Sequence, residues 1–319
     1  MLETVHLSIG YGKKCLQKEI NLSAKSGDLI CLIGPNGCGK STFLKTLSAI
    51  IPPMEGKIFI DKKDISKLNH SQMADLLSIV LTDAIEVENM SVFELVSLGR
   101  FPHTNWFGKL SQNDKQKIDE AIEQVNLTHK KDALLCEISD GEKQRAVIAK
   151  ALTQDTPLVL LDEPTAHLDI SNRMEIMMLL RRLSVNTCKT FILSTHELEM
   201  AMQIADYIWI MDKTGVQTGI PEDLMMRGKI QSLFDSKSLF FDNQSGQFKI
   251  KPLMGNLEVN ICGDNEKIIW LKRAFERCGI KVSENADLTI EAAIDCFTIH
   301  YKDKPPAKAH SIETLLQIL

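Results

Sequence analysis

The sequence predicts an α/β fold in two domains: a core of alternating strands and helices that carries a helical arm, followed by a small α/β appendage. Three observations predict it. A short apolar run, Leu29 to Ile33, leads into a glycine-rich loop and then a helix. A second apolar run, Pro157 to Leu161, ends in adjacent carboxylates. From Ile138 to about Leu233 strand-like and helix-like segments alternate. With 319 residues and 44% hydrophobic content, the chain can fill two cores at roughly 150 residues per domain.

The opening reads as strand-rich to about Ile60. Within it, Leu29-Ile30-Cys31-Leu32-Ile33 has the composition of a strand buried on both faces. The next residues, Gly34-Pro35-Asn36-Gly37-Cys38-Gly39-Lys40-Ser41, match G-x-x-x-x-G-K-[ST], and Thr42 to Leu47 read as a helix. Gly37 and Gly39 free the backbone to turn its N–H groups toward one point, the helix start adds positive potential, and Lys40 supplies a cation. The loop therefore predicts a site for the β- and γ-phosphates of a nucleotide, with the Ser41 hydroxyl available to Mg²⁺. Cys38 has two readings, a space-filling side chain or a thiol whose pKa is lowered by Lys40 and the helix start.

A helical insert is expected from about Ser71 to Leu135, with helices over Val92 to Gly99 and Ser111 to Val125 and a break at Arg100-Phe101-Pro102. A strand over Ser78 to Leu81 leads to Thr82-Asp83. Further on, Ile138-Ser139-Asp140-Gly141-Glu142-Lys143-Gln144-Arg145 opens a helix through Ala146 to Leu152, and its Ser-x-Gly start offers a second set of free N–H groups to an anion. The strand from Pro157 ends in Asp162 and Glu163. Beside a phosphate loop the first acid suits Mg²⁺ and the second suits polarising a water; alone, such a pair also fits a strand ending in solvent. Ile170, Met174, Met177 and Met178 recur at helical spacing and predict one core-packed face. Thr190 to Leu193 is a strand that ends in Ser194-Thr195-His196.

After a polar, glycine-containing stretch from Ser236 to Gln247, the appendage reads as a strand (Leu257 to Ile261), a helix (Glu266 to Cys278) stopped by Gly279, strands at Leu288 to Ile290 and Phe297 to Tyr301, and a closing helix from Ser311 to Leu319. Cys262-Gly263-Asp264-Asn265 falls short of a ligand fingerprint. The net charge of -5 and pI near 5.9 speak against a chain that wraps nucleic acid. No stretch approaches the roughly 20 apolar residues of a membrane span, and Met1-Leu2-Glu3-Thr4 opens no export leader. The 8 cysteines, without a C-x-x-C pair, read as buried thiols rather than a zinc site or disulfide framework.

These motifs, in this order, resemble the ABC transporter ATPases. Ile138 to Gln144 resembles the family's signature motif, usually written LSGGQ, with Ser139 and Gly141 kept and Ile138, Asp140 and Glu142 as departures. Ala166-His167-Leu168-Asp169 resembles the D-loop, and His196 matches the switch histidine. The resemblance implies an ABC-type P-loop ATPase core over residues 1–235 with a helical subdomain at about 71–135, leaving 236–319 as a small domain of unread role. It implies ATP and Mg²⁺ as ligands. The nucleotide contacts it implies are Gly34, Pro35, Asn36, Gly37, Cys38, Gly39, Lys40, Ser41 and Thr42, with Tyr11 either stacked on adenine or simply packed. Ser139, Gly141, Glu142 and Asp169 would approach the nucleotide across a homodimer, Ser41 and Asp162 would hold the metal, and Lys40, Glu163 and His196 would carry catalysis. The family's usual glutamine after the Ser78 to Leu81 strand is replaced by Thr82-Asp83, either of which is an oxygen donor of the type Mg²⁺ accepts.

A narrower resemblance joins Met90 to Pro102, with Trp106 beyond it, to the helical arm of importers for iron-siderophores, haem and cobalamin. It implies separate transmembrane permease subunits, an external substrate-binding protein reached indirectly, and a peripheral place on the cytoplasmic face of the cell membrane, with no nucleic-acid partner. Two other readings stand beside it. A soluble ATPase of this type acting on DNA, ribosomes or cofactor assembly would be expected to carry a long coiled coil or a second cassette, and neither is in the sequence. A low-turnover nucleotide switch follows if Thr82-Asp83 disables the metal site.

Overall fold

The computed structural model describes residues 1–82, 89–104, 108–234, 239–242, 247–250, 255–302 and 304–319. They fall into two compact units, Met1–Phe234 and Asp235–Leu319.

The first unit is organised around a six-stranded sheet. Its order is Gly215–Gly219, Tyr207–Asp212, Leu29–Ile33, Thr190–Ser194, Leu158–Asp162, Leu77–Val80. All neighbours are parallel except the Gly215–Gly219 edge. Every residue of the three inner strands Leu29–Ile33, Leu158–Asp162 and Thr190–Ser194 is buried, which is why they read as continuous apolar runs rather than alternating ones. The register decides where the chemistry lies: Ser194 pairs with Leu32 on one side and with Asp162 on the other. The loops after these strands therefore leave the sheet side by side at its carboxyl edge, where open α/β sheets bind ligands.

An antiparallel sheet built on Leu2–Tyr11, flanked by Lys14–Ile20 and Glu55–Ile60, contributes to the same core. Leu7, Ile9 and Ile58 pack in one cluster with Phe43, Leu44 and Leu47 of the helix Lys40–Leu47 and with Trp209. Phe43 meets Trp209 edge-on with ring centroids 6.0 Å apart. Each such buried side chain contributes about 1.5–3 kcal/mol, so the helix after the glycine loop is anchored by its apolar face.

The helical insert is shorter than the sequence suggests, because Leu77–Val80 belongs to the core sheet. It contains Val92–Ser97, a 3₁₀ segment Leu98–His103 that includes Pro102, and Gln112–Gln124, with Val92–Ser97 and Gln112–Gln124 packed on Asp140–Thr153. Arg100 is buried; its Nε donates to Asp114 at 2.8 Å and its Nη1 to the Thr153 carbonyl at 2.9 Å. Hydrogen bonds from Ser111, together with Arg100, hold the Asp114 carboxyl down at about 2. Trp106 lies outside the described residues.

Two sequence expectations are corrected in this unit. The helix Ile170–Thr187 buries Met177 but leaves Ile170, Met174 and Met178 exposed, at 70%, 50% and 66%. The periodicity is real, yet the face turned to the core is the one carrying Ile176, Met177, Leu180 and Leu183. Nor are the cysteines uniformly buried: Cys31 is, whereas Cys136 and Cys188 here, and Cys262 and Cys278 in the second unit, are exposed.

The second unit has a five-stranded sheet in the order Lys281–Val282, Glu258–Gly263, Thr289–Ala292, Phe297–His300, Ala307–Ala309, with helices Asn265–Cys278 and Ile312–Ile318. Val259, Leu271, Phe275, Ile290, Ile299 and Leu315 form its core. Leu239–Asp242 and Gln247–Ile250 pair as an antiparallel hairpin, where the sequence suggested an irregular connection. Gly263 serves packing, since a Cβ there would lie 2.2 Å from the Ala292 carbonyl oxygen. Among the described residues no helix is long and apolar enough to cross a membrane.

Candidate functional site

The loop from Gly34 to Gly39 follows the strand Leu29–Ile33 and runs into the helix at Lys40. Gly37 and Gly39 take φ values of +76° and +112°, which a Cβ would strain. The helix cap, Gly39, offers no side-chain acceptor, and the first turn holds no acid. Its leading N–H groups are thereby left for an anion. The Lys40 Nζ lies over the loop, donating to the Gly34 carbonyl at 2.9 Å and the Pro35 carbonyl at 3.4 Å. Pro35 and Asn36 complete the turn. At Gly34 a Cβ would sit 2.0 Å from the Met211 carbonyl oxygen, so the loop is pressed against the neighbouring strand.

One support of this loop escaped sequence reasoning. The buried Gln17 Nε2 donates to the Cys38 carbonyl at 3.1 Å and to the Asp212 carbonyl at 2.6 Å, tying the loop to the strand Tyr207–Asp212. Cys38 itself packs against the core, and burial pushes its thiol up in spite of Lys40. The packing speaks for the space-filling reading of Cys38. Beside the helix start, the Thr42 hydroxyl donates to the Tyr11 hydroxyl at 3.2 Å. Tyr11 is 51% exposed, which removes the packed reading and leaves its ring open beside the loop.

The second group of residues meets the first at Asp162. Its Oδ1 accepts from Ser41 Oγ at 3.0 Å and from Ser194 Oγ at 2.6 Å. Ser194 Oγ in turn accepts the backbone N–H of Glu163 at 2.9 Å. Glu163 is held at φ +48°, a left-handed conformation rare for a residue with a side chain. Its Oε1 lies 2.9 Å from Nε2 of His196. These carboxylate and imidazole groups line a concavity together with His167. Ser194 was read only as the end of a strand; its register opposite Asp162 is what gives it a part here. Thr82 Oγ1 donates to the Asp162 backbone carbonyl at 3.0 Å, so its hydroxyl engages the strand end. Asp83 lies outside the described residues.

The Ser139 segment forms a separate cluster. Ser139 caps the helix Asp140–Thr153, accepting from the Glu142 N–H at 3.3 Å, while the Glu142 carboxylate accepts from the Ser139 N–H at 2.8 Å and from its hydroxyl at 3.0 Å. That reciprocal capping box gives Glu142 a structural task and keeps its carboxyl below the ordinary range. Asp140 turns to Lys143 at 3.2 Å. Gly141 is pressed against Asn172, whose Oδ1 would lie 2.2 Å from a Cβ there. Asn172 donates through its N–H and Nδ2 to the two carboxylate oxygens of Asp169 at 2.8 and 3.0 Å, and Asp169 thus caps the helix Ile170–Thr187. Among the described residues no hydrogen bond connects Ser139 to Glu142 with the loop 34–41. The fold brings Lys40, Ser41, Asp162, Glu163 and His196 together, and gathers Ser139, Gly141 and Asp169 elsewhere.

The ABC transporter family profile matches residues 17–166, and that of the iron ABC transporter C-terminal domain matches residues 256–319. An uncharacterised ABC transporter ATP-binding protein of Methanocaldococcus jannaschii is 36% identical over 82% of this chain and 92% of its own length. The chain belongs to the ABC transporter ATP-binding proteins. A second relative, the iron(3+)-hydroxamate import ATP-binding protein FhuC of Bacillus subtilis, is 36% identical over 73% of this chain and 87% of its own. Among solved structures, an ATP-binding cassette seen as a dimer in a post-hydrolysis state with ADP and Pi superimposes with a TM-score of 0.59 and 25% identity, covering 69% of this chain and 99% of that one.

As an ABC ATPase, the chain binds and hydrolyses nucleotide. The donor set also fits Mg²⁺. Ser41 Oγ already donates to Asp162 Oδ1 at 3.0 Å, and a hydroxyl beside a carboxylate is the hard oxygen pair that this cation takes.

Proposed function

We propose that this chain is the ATPase subunit of an importer for an iron-siderophore, haem or cobalamin, that it works as a homodimer under separate permease subunits, and that it is peripheral on the cytoplasmic face of the membrane. The observation that carries the mechanism is the division of the functional residues into two clusters. Lys40, Ser41, Asp162, Glu163 and His196 form one face of a nucleotide site; Ser139 and Gly141 form a helix end for an anion that the same chain's phosphate loop does not reach by any hydrogen bond among the described residues.

In this reading each ATP lies on one chain's loop and is capped by the partner's Ser139 and Gly141, with the partner's Asp169 near the seam. Tyr11 offers its exposed ring to the adenine. Gly34 to Thr42 surround the phosphates, and Lys40 leaves its carbonyl partners to neutralise the β- and γ-phosphates. Ser41 and Asp162 would hold Mg²⁺, which would supply positive charge to the phosphates. Glu163 accepts a hydrogen bond from the attacking water, which bonds to the γ-phosphorus as the bond to the β,γ-bridging oxygen breaks, giving ADP and phosphate. In this reading the left-handed backbone at Glu163 and its contact with His196 orient the carboxylate, and His196 donates to the γ-phosphate. ATP bridges two chains, and hydrolysis removes the bridge.

The import assignment rests on the relatives' iron and siderophore names, the match of the C-terminal segment to an iron transporter domain, and an arm that exposes Leu98 and Phe101 at 48% and 72%. Such an apolar surface suits a helix end of a permease. The test has two parts. Glu163→Gln should give a stable dimer by light scattering with ATP and Mg²⁺, and a persistent monomer would overturn the composite site. Affinity purification of the chain from detergent-solubilised membranes should bring down polytopic permease subunits; recovery with soluble partners alone would overturn the transport role.

A further inference from the structure

The helix Asn265–Cys278 turns Leu271, Ala274 and Phe275 into the core of the second unit. Its outward face carries the exposed charges Glu266, Lys272, Arg273, Glu276 and Arg277 that usually balance such a stripe, and two large apolar side chains among them. Ile269 and Trp270 stand at the middle of that face, exposed at 56% and 59%. Glu266 lies one turn before them and Arg273 one turn after, both exposed, and Arg277 follows a further turn on. These positions, i, i+3, i+4, i+7 and i+11, share one side of an α-helix. The Arg273 guanidinium lies 5.1 Å from the Trp270 ring centre, which orders the indole at the surface by a cation–π contact.

The charge pattern names an occupant. Along the line Glu266, Ile269, Trp270, Arg273 and Arg277 the face is acidic first, apolar in the middle and basic last, with Glu276 at its margin, so that line is complementary to itself when reversed. If two such helices cross antiparallel about a two-fold axis between positions 269 and 270, Ile269 of each chain meets the partner's Trp270. The same axis sets Glu266 of each chain against the partner's Arg273, twice by symmetry, and the helix dipoles also run antiparallel. A permease, a lipid surface or a nucleic acid would not call for that reversal symmetry.

We propose that the second unit is a self-association module in which the Asn265–Cys278 helices of two chains pair antiparallel through Ile269 and Trp270, flanked by two Glu266–Arg273 ion pairs. One helix pair is smaller than the roughly 1,200 Å² at which independent complexes become stable. The contact therefore acts chiefly by avidity, adding to whatever else joins two chains. It gives the appendage a role, a second point of attachment between subunits beside the ATPase unit.

The test uses the full chain with its exposed Cys136, Cys188, Cys262 and Cys278 replaced by serine and with Ile269→Cys added. Disulfide formation under mild oxidant is followed without nucleotide and again with ATP, while light scattering on the same samples reports dimerisation through the ATPase unit independently. The proposal expects rapid cross-linking in at least one condition, and none in the parent lacking Ile269→Cys. Either Glu266→Arg or Arg273→Glu should slow it at least about tenfold by setting like charges together. The double exchange Glu266→Arg with Arg273→Glu should restore it, which a mere loss of folding would not. No cross-linking in either condition, or single reversals that leave the rate unchanged, or a double exchange that fails to restore it, overturns the proposal. A dimer seen by light scattering without the cross-link leaves the ATPase mechanism standing and removes only this contact.

Discussion

Replacing Ser194 by alanine separates the support of the catalytic carboxylates from the binding of nucleotide. Ser194 is fully buried, and its one hydroxyl serves two groups: it donates to Asp162 Oδ1 at 2.6 Å and accepts the Glu163 N–H at 2.9 Å. Loss of a hydrogen bond to a buried carboxylate costs about 1.5–3 kcal/mol, and a stranded backbone N–H about 1–3 kcal/mol. The two do not simply add, since both groups relax once the hydroxyl is gone. Relaxation moves the carbonyl-to-Cα segment that holds Glu163 in its left-handed conformation, and about 3 kcal/mol expressed in the transition state is roughly a hundredfold in rate. Ser194→Ala should therefore lower kcat by about 30- to 100-fold, while ATP affinity, which rests on Lys40 and the loop N–H groups, changes less than about threefold. Phosphate release at saturating ATP and equilibrium binding of a fluorescent ATP analogue give the two numbers, with a thermal melt to show that the protein is folded. Ser194→Thr keeps the hydroxyl and should recover most of the rate. A folded Ser194→Ala protein that turns over within threefold of the parent would refute the reasoning.

Four further outcomes follow from the same geometry. Lys40→Ala removes the only side-chain cation placed on the loop by the described hydrogen bonds and should abolish ATP binding in the fluorescence assay. Phe101→Ala, at a side chain 72% exposed, should reduce recovery of permease subunits in the pull-down and leave soluble ATP binding unchanged. Cys38, whose thiol burial pushes up, should react with iodoacetamide more slowly at pH 8 than the exposed Cys136 and Cys188, as read by peptide mass spectrometry. Asp114 titrates at about 2 in the fold against roughly 3.9 in an unfolded chain. Its stabilisation, at most about 2.6 kcal/mol, is then nearly complete above about pH 5 and is lost as pH falls through 2. Asp114→Asn should flatten that acid limb in urea titrations at pH 2 to 4, and an unchanged limb would place the acid sensitivity elsewhere.

What the sequence made legible, and what it hid, follows from how far each interaction reaches along the chain. The phosphate loop, Asp162, Glu163 and His196 stand directly after buried strands, and a buried parallel strand is visible as an unbroken apolar run. Their chemistry could be read locally. Gln17, Ser194 and Asn172 could not, because each acts through a partner fixed only by tertiary register: Gln17 on Asp212 across 195 positions, Ser194 on Asp162 across 32. Glu142 illustrates a signal that was present but read at the wrong level. As a departure from a signature it looked like a contact for nucleotide, whereas Ser-x-x-acid also recurs at Ser91 with Glu94 and Ser111 with Asp114, and all three are capping boxes in the structure. The pairing of Leu239–Asp242 with Gln247–Ile250 was hidden by its polar surroundings.

The methionine stripe of the helix Ile170–Thr187 shows a different limit. Periodicity identifies a face but not what lies against it, so Ile170, Met174 and Met178 match a core pattern while facing solvent. Their place is informative for the same reason. The stripe begins one residue after Asp169, which caps this helix and whose side chain is held by Asn172 against Gly141. A Cβ at Gly141 would press on the Asn172 side chain, so the Ser139 helix start and the Asp169 turn pack as one corner. If the partner's phosphates are received at Ser139, the corner carries Asp169 and the exposed Ile170 with it to the subunit boundary. Closure on ATP then buries apolar surface as well as satisfying charge. On that account Ile170→Asp, which touches neither the phosphate loop nor the carboxylates, should weaken the ATP-trapped dimer of Glu163→Gln at least about tenfold and leave nucleotide binding to the single chain intact. A dimer of unchanged stability by light scattering would detach the stripe from closure.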